Sequence, residues 1–517
     1  MNSRASSPTG SDASRSSTGP SAGPSTGPAH GGPTRRGPLP SIAVAVELGR
    51  ALGALLLLLP RALLYLTQRA KLENEIAGDL TSEARIAPEP ELAAAPLRPL
   101  RVFVACAEPS GEMHAVNLVR ALRARLEALG APPPELVGLG GARLAAEGVE
   151  LIERPVDRAA MGLTGVLSAL PYYLGLLRRS AACFRDRGLD LVLPVDSPAL
   201  HVPLAHIAKR YRLPVVHFVT PQYWGWAPWR VASYRRAVDR ALTILPFEPS
   251  WFARHGVEVS HVGHPIRDAW PSAPAPERSP EQVGDLVLLP GSRKGVIGRN
   301  LPWMLALAAE LRLTQDVSVR IVHEHDELRD VLEEHVAAAQ AEGWATIETG
   351  DLHRSLAGAR AALSVSGTVL LELLHHRLPS VVIYRLANRR EVTFGKLFLS
   401  VPFFSSVNLL AGREVYPEFS FAGDGPRGSV LAALRRALSD DAWRAGCHAG
   451  LEQAAERLGP AGAVGRAADQ ALAVALGTPS RASELSASVK TPGKPDEAGS
   501  TPPPQRTDLE DALGHAS

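Results

Sequence analysis

Ser366-Gly367-Thr368-Val369-Leu370-Leu371-Glu372 follows directly on Ala361-Ala362-Leu363-Ser364-Val365. The upstream run is apolar and short, and it predicts a buried strand; the downstream Leu-rich run predicts a helix. A strand, a small-residue turn and a helix N-terminus together make an anion site, because free backbone N–H groups and the helix dipole point at whatever sits there. Ser366 and Thr368 add hydroxyl donors beside Gly367. Glu372 lies about one helical turn further in, where a carboxylate can accept hydrogen bonds from a ribose diol. The set suits a nucleoside diphosphate. An ordinary helix cap uses the same residue types, so this segment alone leaves both readings open.

A second segment has the same form. Leu286-Val287-Leu288-Leu289-Pro290 predicts a strand, and Gly291-Ser292-Arg293-Lys294-Gly295 a turn with two cations. Arg293 can grip a phosphate through two parallel hydrogen bonds, whereas Lys294 acts as a point charge. A third begins at Arg101-Val102-Phe103-Val104-Ala105-Cys106, again a strand, followed by the turn Ala107-Glu108-Pro109-Ser110-Gly111-Glu112 and a helix from Met113 to Leu129. Two carboxylates here flank a Ser-Gly turn at the C-terminal end of a strand, where open α/β sheets bind ligands. Ser110 lacks the Gly-x-Ser-x-Gly flanks of a hydrolase nucleophile.

Strands expected at 101–106, 191–195 and 214–219 alternate with helices near 113–129, 167–187, 200–211 and 230–238. A second alternating unit has strands near 286–289, 318–322, 361–365 and 380–383. The alternation predicts an α/β fold of two parallel-sheet, Rossmann-like units. Residues 98–270 form the first, 271–284 read as a Pro-rich hinge, and 285–476 form the second together with terminal helices.

In order along the chain, Glu108-Pro109-Ser110-Gly111-Glu112, Gly138-Leu139-Gly140-Gly141, Met161-Gly162, Val195-Asp196-Ser197-Pro198 and His217 to Trp226 resemble one family. Leu245-Pro246-Phe247-Glu248, Gly263-His264-Pro265, Leu289 to Arg293, Ser366 to Glu372 and Asn408 to Arg413 complete the run. The chain resembles the lipid-A-disaccharide synthases over roughly residues 99–475. No single motif decides this; their order and spacing do.

The resemblance implies a GT-B fold, with two Rossmann-like domains facing across a cleft and C-terminal helices packing back on the first. It implies an inverting glycosyltransferase that joins UDP-2,3-diacylglucosamine to 2,3-diacylglucosamine 1-phosphate. The same fold acting on another acceptor, a UDP-sugar epimerase, and a catalytically silent membrane-associated paralogue stay open. Asp196, at the end of its strand, is expected to be the catalytic base, with Glu108 and Ser110 beside it. Ser292, Arg293, Ser366, Gly367, Thr368, Glu372 and Asn408 are expected to bind the nucleotide. Glu112, Gln222, Trp224 and His264 are expected to line the acceptor side of the cleft. The chain departs from the family pattern at Ala107, Glu112, Ala199, Val296, Val407 and Phe421, mostly on the acceptor side.

Expected partners are therefore a UDP-sugar donor, an acylated glucosamine phosphate acceptor and a membrane surface; a homodimer is compatible with the pattern. No cofactor or metal is expected: His323-Glu324-His325-Asp326 has the look of a metal tract, but no further ligand cluster adjoins it in sequence. A net charge of +2 over 517 residues gives no argument for nucleic acid. Three cysteines, Cys106, Cys183 and Cys447, are too few and too scattered for a disulfide framework, which fits a reduced, cytoplasmic compartment.

The ends differ from the middle. Residues 1–40 and 477–517 are rich in Ser, Gly, Pro and Thr and carry too little apolar surface to offset the entropy of ordering, so both are expected to be disordered. Residues 41–72 are expected to form a membrane-associated apolar helix. The charge-free core Ala51 to Pro60 is short of the ~20 residues that span a bilayer, and lengthening it takes in Glu47, Arg50 or Arg61. The flanking arginines suit anionic headgroups. An interfacial or re-entrant helix, a span and a helix docked on the protein are all open. The expected location is the cytoplasmic face of an inner membrane, peripheral or anchored. A second apolar stretch at 161–179, with Tyr172, Tyr173, Arg178 and Arg179 toward one end, either dips into a membrane or packs on the sheet.

Overall fold

A computed structural model describes residues 37–92, 95–160, 166–270 and 285–477. The hinge expected at 271–284 and nearly all of both expected tails lie outside these residues, as do residues 161–165, with the Met161-Gly162 motif among them. Residues 37–40, assigned to the tail from composition, are held in place: the Tyr211 hydroxyl donates to the Pro38 carbonyl at 2.9 Å, and Pro40 opens a helix.

The first unit contains β1 (Arg101–Ala105), β2 (Glu135–Leu139), β3 (Glu150–Glu153), β4 (Leu191–Pro194), β5 (Val216–Phe218), β6 (Arg240–Thr243) and β7 (Val259–His261). All the pairs are parallel, in the orders β3-β2-β1-β4 and β5-β6-β7. Bridges from Val192 to Val215 and from Val195 to Phe218 join the two sets side by side. The second unit contains β8 (Asp285–Leu289), β9 (Ser318–His323), β10 (Ala345–Thr349), β11 (Ala361–Val365), β12 (Ser380–Leu386) and β13 (Glu418–Ala422), also parallel, in the order β10-β9-β8-β11-β12-β13. Every residue of β8 and of β11 is buried, as a strand covered by helices on both faces must be, and this is why both are apolar apart from Asp285, which pairs with Arg320, and Ser364. Burial of side chains such as Phe103 and Phe184, packed edge-to-face at 4.8 Å, contributes about 1.5–3 kcal/mol each.

Both units share one topology. The chain starts in the middle strand, winds outward to one side, then returns and winds outward to the other. The strand order therefore reverses between β1 and β4 in the first unit and between β8 and β11 in the second. At such a reversal, loops leave the strand ends in opposite directions and open a crevice. The turns singled out from sequence follow β1, β4, β8 and β11, the four strands that flank the two reversals.

The C-terminal helix Ala463–Ala475 packs on the first unit against α3 (Pro109–Ala128). Its buried alanines, Ala467, Ala468 and Ala471, permit the close approach. Asp268 caps it by accepting from the N–H groups of Ala463 at 3.1 Å and Val464 at 2.9 Å. Buried Gln470 accepts from Arg240 and Ser260 at 3.0 Å each.

Ahead of both units lie α1 (Pro40–Leu56) and α2 (Leu58–Leu80), bent by 50° where they meet. The apolar helix expected at 41–72 is thus two helices, and the second runs on to Leu80. Among the described residues no single helix is long and apolar enough to cross a membrane; this bent pair passes that test together, by length and composition only. One face is docked on the protein. Buried Glu47 pairs with Arg50, and Arg50 donates to Ser233 at 2.7 Å; Asp79 accepts from Arg254 at 2.5 Å. The other face exposes Leu52, Leu55, Leu56, Leu59, Leu63 and Leu64.

Candidate active site

Asp196 follows β4 at the first reversal. Asp196 and Ser197 both have left-handed backbone, with φ of 56° and 45°, a conformation that costs of order 1–3 kcal/mol per non-glycine residue and persists only where its surroundings impose it. Here they do. The Asp196 N–H donates to the Phe218 carbonyl at 2.9 Å. Its own carbonyl accepts from His201 Nδ1 at 2.6 Å and His217 Nε2 at 3.0 Å. Both imidazoles are buried, which pushes their pKa values down to about 4 and about 3, so both are neutral. A carbonyl partner then requires the proton on the nitrogen that faces it.

The Asp196 side chain adjoins the turn after β1. A Cβ placed on Gly111 would sit 3.5 Å from the Val195 carbonyl oxygen and 3.6 Å from the Asp196 Cβ; any longer side chain there would fill the crevice. Glu108 stands at the N-cap position of α3, Pro109 takes the first helical turn, and Glu108 and Ser110 are exposed beside Asp196's neighbour Gly111. His114, in the next turn of α3, lies near enough that the Asp196 carboxylate opposes the downward pull of burial on its pKa. The sequence reading missed His114; its place in the second turn of a helix that follows a ligand-type turn is the signal that could have found it.

At the second reversal, Gly291 has a φ of 111°, and a Cβ there would come within 2.5 Å of Val296 Cγ1, so only glycine fits. Ser292 and Arg293 are exposed, and Arg293 is the N-cap of the 19-residue helix Lys294–Arg312. Beside it Ser366 donates through its N–H to the Ile383 carbonyl at 3.0 Å; Gly367 and Thr368 are exposed, and Thr368 stands at the N-cap position of the helix Val369–His375. Glu372 is half-buried. Burial raises its pKa, with the nearby His353 opposing the shift, and its Oε2 stands 3.6 Å from His353 Nε2. The pairing of β8 with β11 thus sets the turn carrying Ser292 and Arg293 beside the one carrying Ser366, Gly367 and Thr368, with Glu372 in the helix that follows.

Four expected site residues have other partners. Asn408 is fully buried. Its amide donates to Tyr416 O at 2.8 Å and Glu418 Oε2 at 3.1 Å, and its Oδ1 accepts from Val415 and Tyr416 N–H at 2.8 and 2.9 Å. These bonds use its donors and acceptor to fasten the loop before β13, leaving nothing to offer a nucleotide. Glu112 is buried with its carboxylate against the helix Ala142–Ala146, accepting from Leu144 N–H at 3.1 Å, a cap rather than an acceptor contact. Trp224 is buried and donates to Glu248 Oε1 at 3.2 Å. In the same segment Gln222 and Trp226 are exposed, and Arg230 lies 5.3 Å from the Trp226 ring. His264 is buried, its Nδ1 accepts from Ile266 N–H at 3.2 Å, and burial lowers its pKa to about 3.

The Trp224–Trp226 segment is also where the units meet. Ser400 donates through its N–H to Gly225 O and through its hydroxyl to Trp224 O, each at 2.9 Å, and Trp226 forms an antiparallel bridge with Leu399.

Two parallel α/β units, each with a ligand-type crevice at its strand reversal, and a C-terminal helix returning to the first, define a GT-B fold of the glycosyltransferase class. The lipid-A-disaccharide synthetase family model matches residues 102–435, and the chain belongs to that family. It is 36% identical over 385 residues to the lipid-A-disaccharide synthase of Myxococcus xanthus, covering 72% of this chain and 97% of that protein. The Pseudomonas aeruginosa lipid-A-disaccharide synthase is 34% identical over 359 residues, covering 66% and 90%. Among solved structures, a putative UDP-N-acetylglucosamine 2-epimerase from Listeria monocytogenes aligns over 73% of this chain and 96% of its own, at 12% identity and a TM-score of 0.48. The matched region begins at β1, so α1 and α2 precede it.

Proposed function

We infer that the chain is an inverting glycosyltransferase that joins UDP-2,3-diacylglucosamine to 2,3-diacylglucosamine 1-phosphate, giving lipid A disaccharide 1-phosphate and UDP. The observation that carries this reading is the pair of crevices, Asp196 at one and the Arg293–Ser366–Thr368–Glu372 set at the other, in a chain of this family. The nucleotide binds the second unit. Arg293 and the N–H groups after β8 and β11 hold the diphosphate, and Glu372 accepts from the ribose diol. Asp196 takes the proton from the acceptor hydroxyl as that oxygen bonds to the sugar C1. The bond from C1 to the phosphate oxygen breaks, and UDP leaves with the electron pair. Negative charge grows on UDP as the bond breaks, so donors aimed there hold the transition state more tightly than the ground state. A single displacement by one base inverts the anomeric centre.

Both substrates carry acyl chains, and the exposed leucines of α1 and α2 would hold the enzyme on the cytoplasmic face of the membrane that contains them. The test is to incubate the purified chain with the two acylated sugars and follow UDP release and the disaccharide. Disaccharide formation only when both are present is expected. UDP release without the second sugar, or an epimerised donor, would overturn the acceptor assignment and leave a UDP-sugar enzyme of another kind. Ala199 and Val296, where the family carries carboxylates, are the observations that favour that second reading.

A further inference from the structure

His353 lies in the short helix Leu352–Leu356 that follows β10, and His375 and His376 end the helix Val369–His375 that follows β11. The fold brings these three half-buried imidazoles together: each offers a ring nitrogen within 4.8 Å of the others. Among the described residues no other group of histidine, cysteine and carboxylate donors converges in this way. His353 is the middle member. Its Nδ1 is 3.0 Å from His376 Nε2, and its Nε2 is 3.6 Å from Glu372 Oε2. The Trp270 ring packs on His375 with centroids 4.6 Å apart, which limits how that imidazole can turn.

We propose that His353, His375 and His376 form a binding site for a borderline transition-metal ion of the zinc, cobalt or nickel class, with solvent completing the shell. Imidazole nitrogens select such ions over magnesium or calcium, which prefer all-oxygen shells. Tetrahedral donors at 2.0–2.1 Å from zinc stand about 3.4 Å apart, between the 3.0 Å that separates His353 Nδ1 from His376 Nε2 and the 4.8 Å that bounds the cluster. On binding, the proton now shared between His353 Nδ1 and His376 Nε2 is exchanged for the metal at one nitrogen and released to water. Arg267 and Arg377 face His375 and Glu324 faces Glu372. The two cations oppose a second positive charge, and the two carboxylates offset them. The tract His323-Glu324-His325-Asp326 is not this site: His323 Nδ1 already accepts from the His325 N–H at 2.9 Å.

The site is tested on the tag-free full-length chain, stripped with chelator and desalted. Zinc is titrated calorimetrically and cobalt by visible absorption. One ion per chain is expected, with the intense visible bands of four-coordinate cobalt. His353→Ala and His375→Ala, made separately, should each weaken zinc binding by at least about tenfold, while His325→Ala leaves it unchanged. Thermal melts accompany the titrations: zinc should raise the melting temperature of the parent chain but of neither His353→Ala nor His375→Ala, which keeps the comparison valid if a variant is less stable. No stoichiometric binding, or binding that both variants retain, would overturn the proposal and leave the three imidazoles as a hydrogen-bonded cluster beside Glu372.

Discussion

His217 donates from Nε2 to the main-chain oxygen of Asp196 over 3.0 Å, and in doing so a buried, neutral ring fixes the backbone of a residue in a left-handed conformation. The bond leaves the carboxylate of Asp196 uninvolved. Backbone and side chain therefore have separate duties at this position, and a substitution can alter one alone.

Asp196→Asn keeps the side-chain shape and the backbone bonds but removes the base. Turnover should fall by about 10²–10⁴-fold while UDP affinity is kept. Steady-state UDP release paired with UDP calorimetry reads both quantities. Parental turnover in this variant would remove Asp196 from the chemistry.

Arg293→Ala removes an exposed guanidinium from the turn after β8 without disturbing a packed contact. UDP binding should weaken by about 1.5–3 kcal/mol, the range for a charge-assisted hydrogen bond. Calorimetry with UDP would place the nucleotide elsewhere if the affinity did not change.

Asn408→Ala should behave differently. It leaves the Val415 and Tyr416 N–H groups and the Tyr416 carbonyl buried without Asn408 as partner, at about 1–3 kcal/mol for each group so stranded. We expect a fall in unfolding free energy of at least about 3 kcal/mol, with UDP affinity of the folded fraction retained. A variant as stable as the parent that no longer binds UDP would restore Asn408 to the nucleotide site.

Glu418 accepts from Phe404 and Ser405 N–H at 2.9 Å each, yet desolvation dominates and raises its pKa to about 7. The folded protein therefore holds a proton that the unfolded chain releases near pH 4.5. Its contribution to stability is fully present below about pH 4.5 and is lost as pH rises through about 7. Buried histidines such as His217 act in the opposite sense, losing stability as pH falls below their unfolded pKa of about 6.5. Subtracting the Glu418→Gln profile from that of the parent isolates the carboxyl. The difference should drift against the parent between pH 5 and pH 7, by at most about 3 kcal/mol; a flat difference would show that Glu418 is ionised throughout.

Changing Leu55, Leu59 and Leu63 to Ser together alters only exposed positions of α1 and α2, so the docked face survives. Each leucine that no longer enters lipid forfeits about 1.5–3 kcal/mol. Flotation with anionic liposomes should drop sharply while UDP binding persists. Equal flotation of parent and variant would mean that the outward leucines serve some other contact.

The turns after β8 and β11 were legible because each follows a mostly apolar strand and is itself built of small or charged residues. Those are local signals, and Arg293 and Glu372 were singled out through them, as Asp196 was by its place at the end of its own strand. Glu112, Trp224 and Asn408 have site-like types in site-like motifs, but their roles depend on partners far along the chain: Leu144, Glu248 and the loop at 415–416. The convergence of His353 with His375 and His376 depends in the same way on β10 and β11 lying in one sheet. Residues 73–80 carry enough charge to read as the end of an apolar helix, yet α2 continues through them because Ile76, Asp79 and Leu80 are buried against the protein.

Tyr65 of α2 sits between the two units, its ring 5.6 Å from Trp229 of the first and 6.1 Å from Phe398 of the second, and its hydroxyl donates to the Phe398 carbonyl at 3.1 Å. A helix clipped to both units behaves as a mechanical linkage. If Trp229 and Phe398 move apart, Tyr65 must let go of one ring. The helix that carries the exposed leucines is thus also the one that ties the two units to each other.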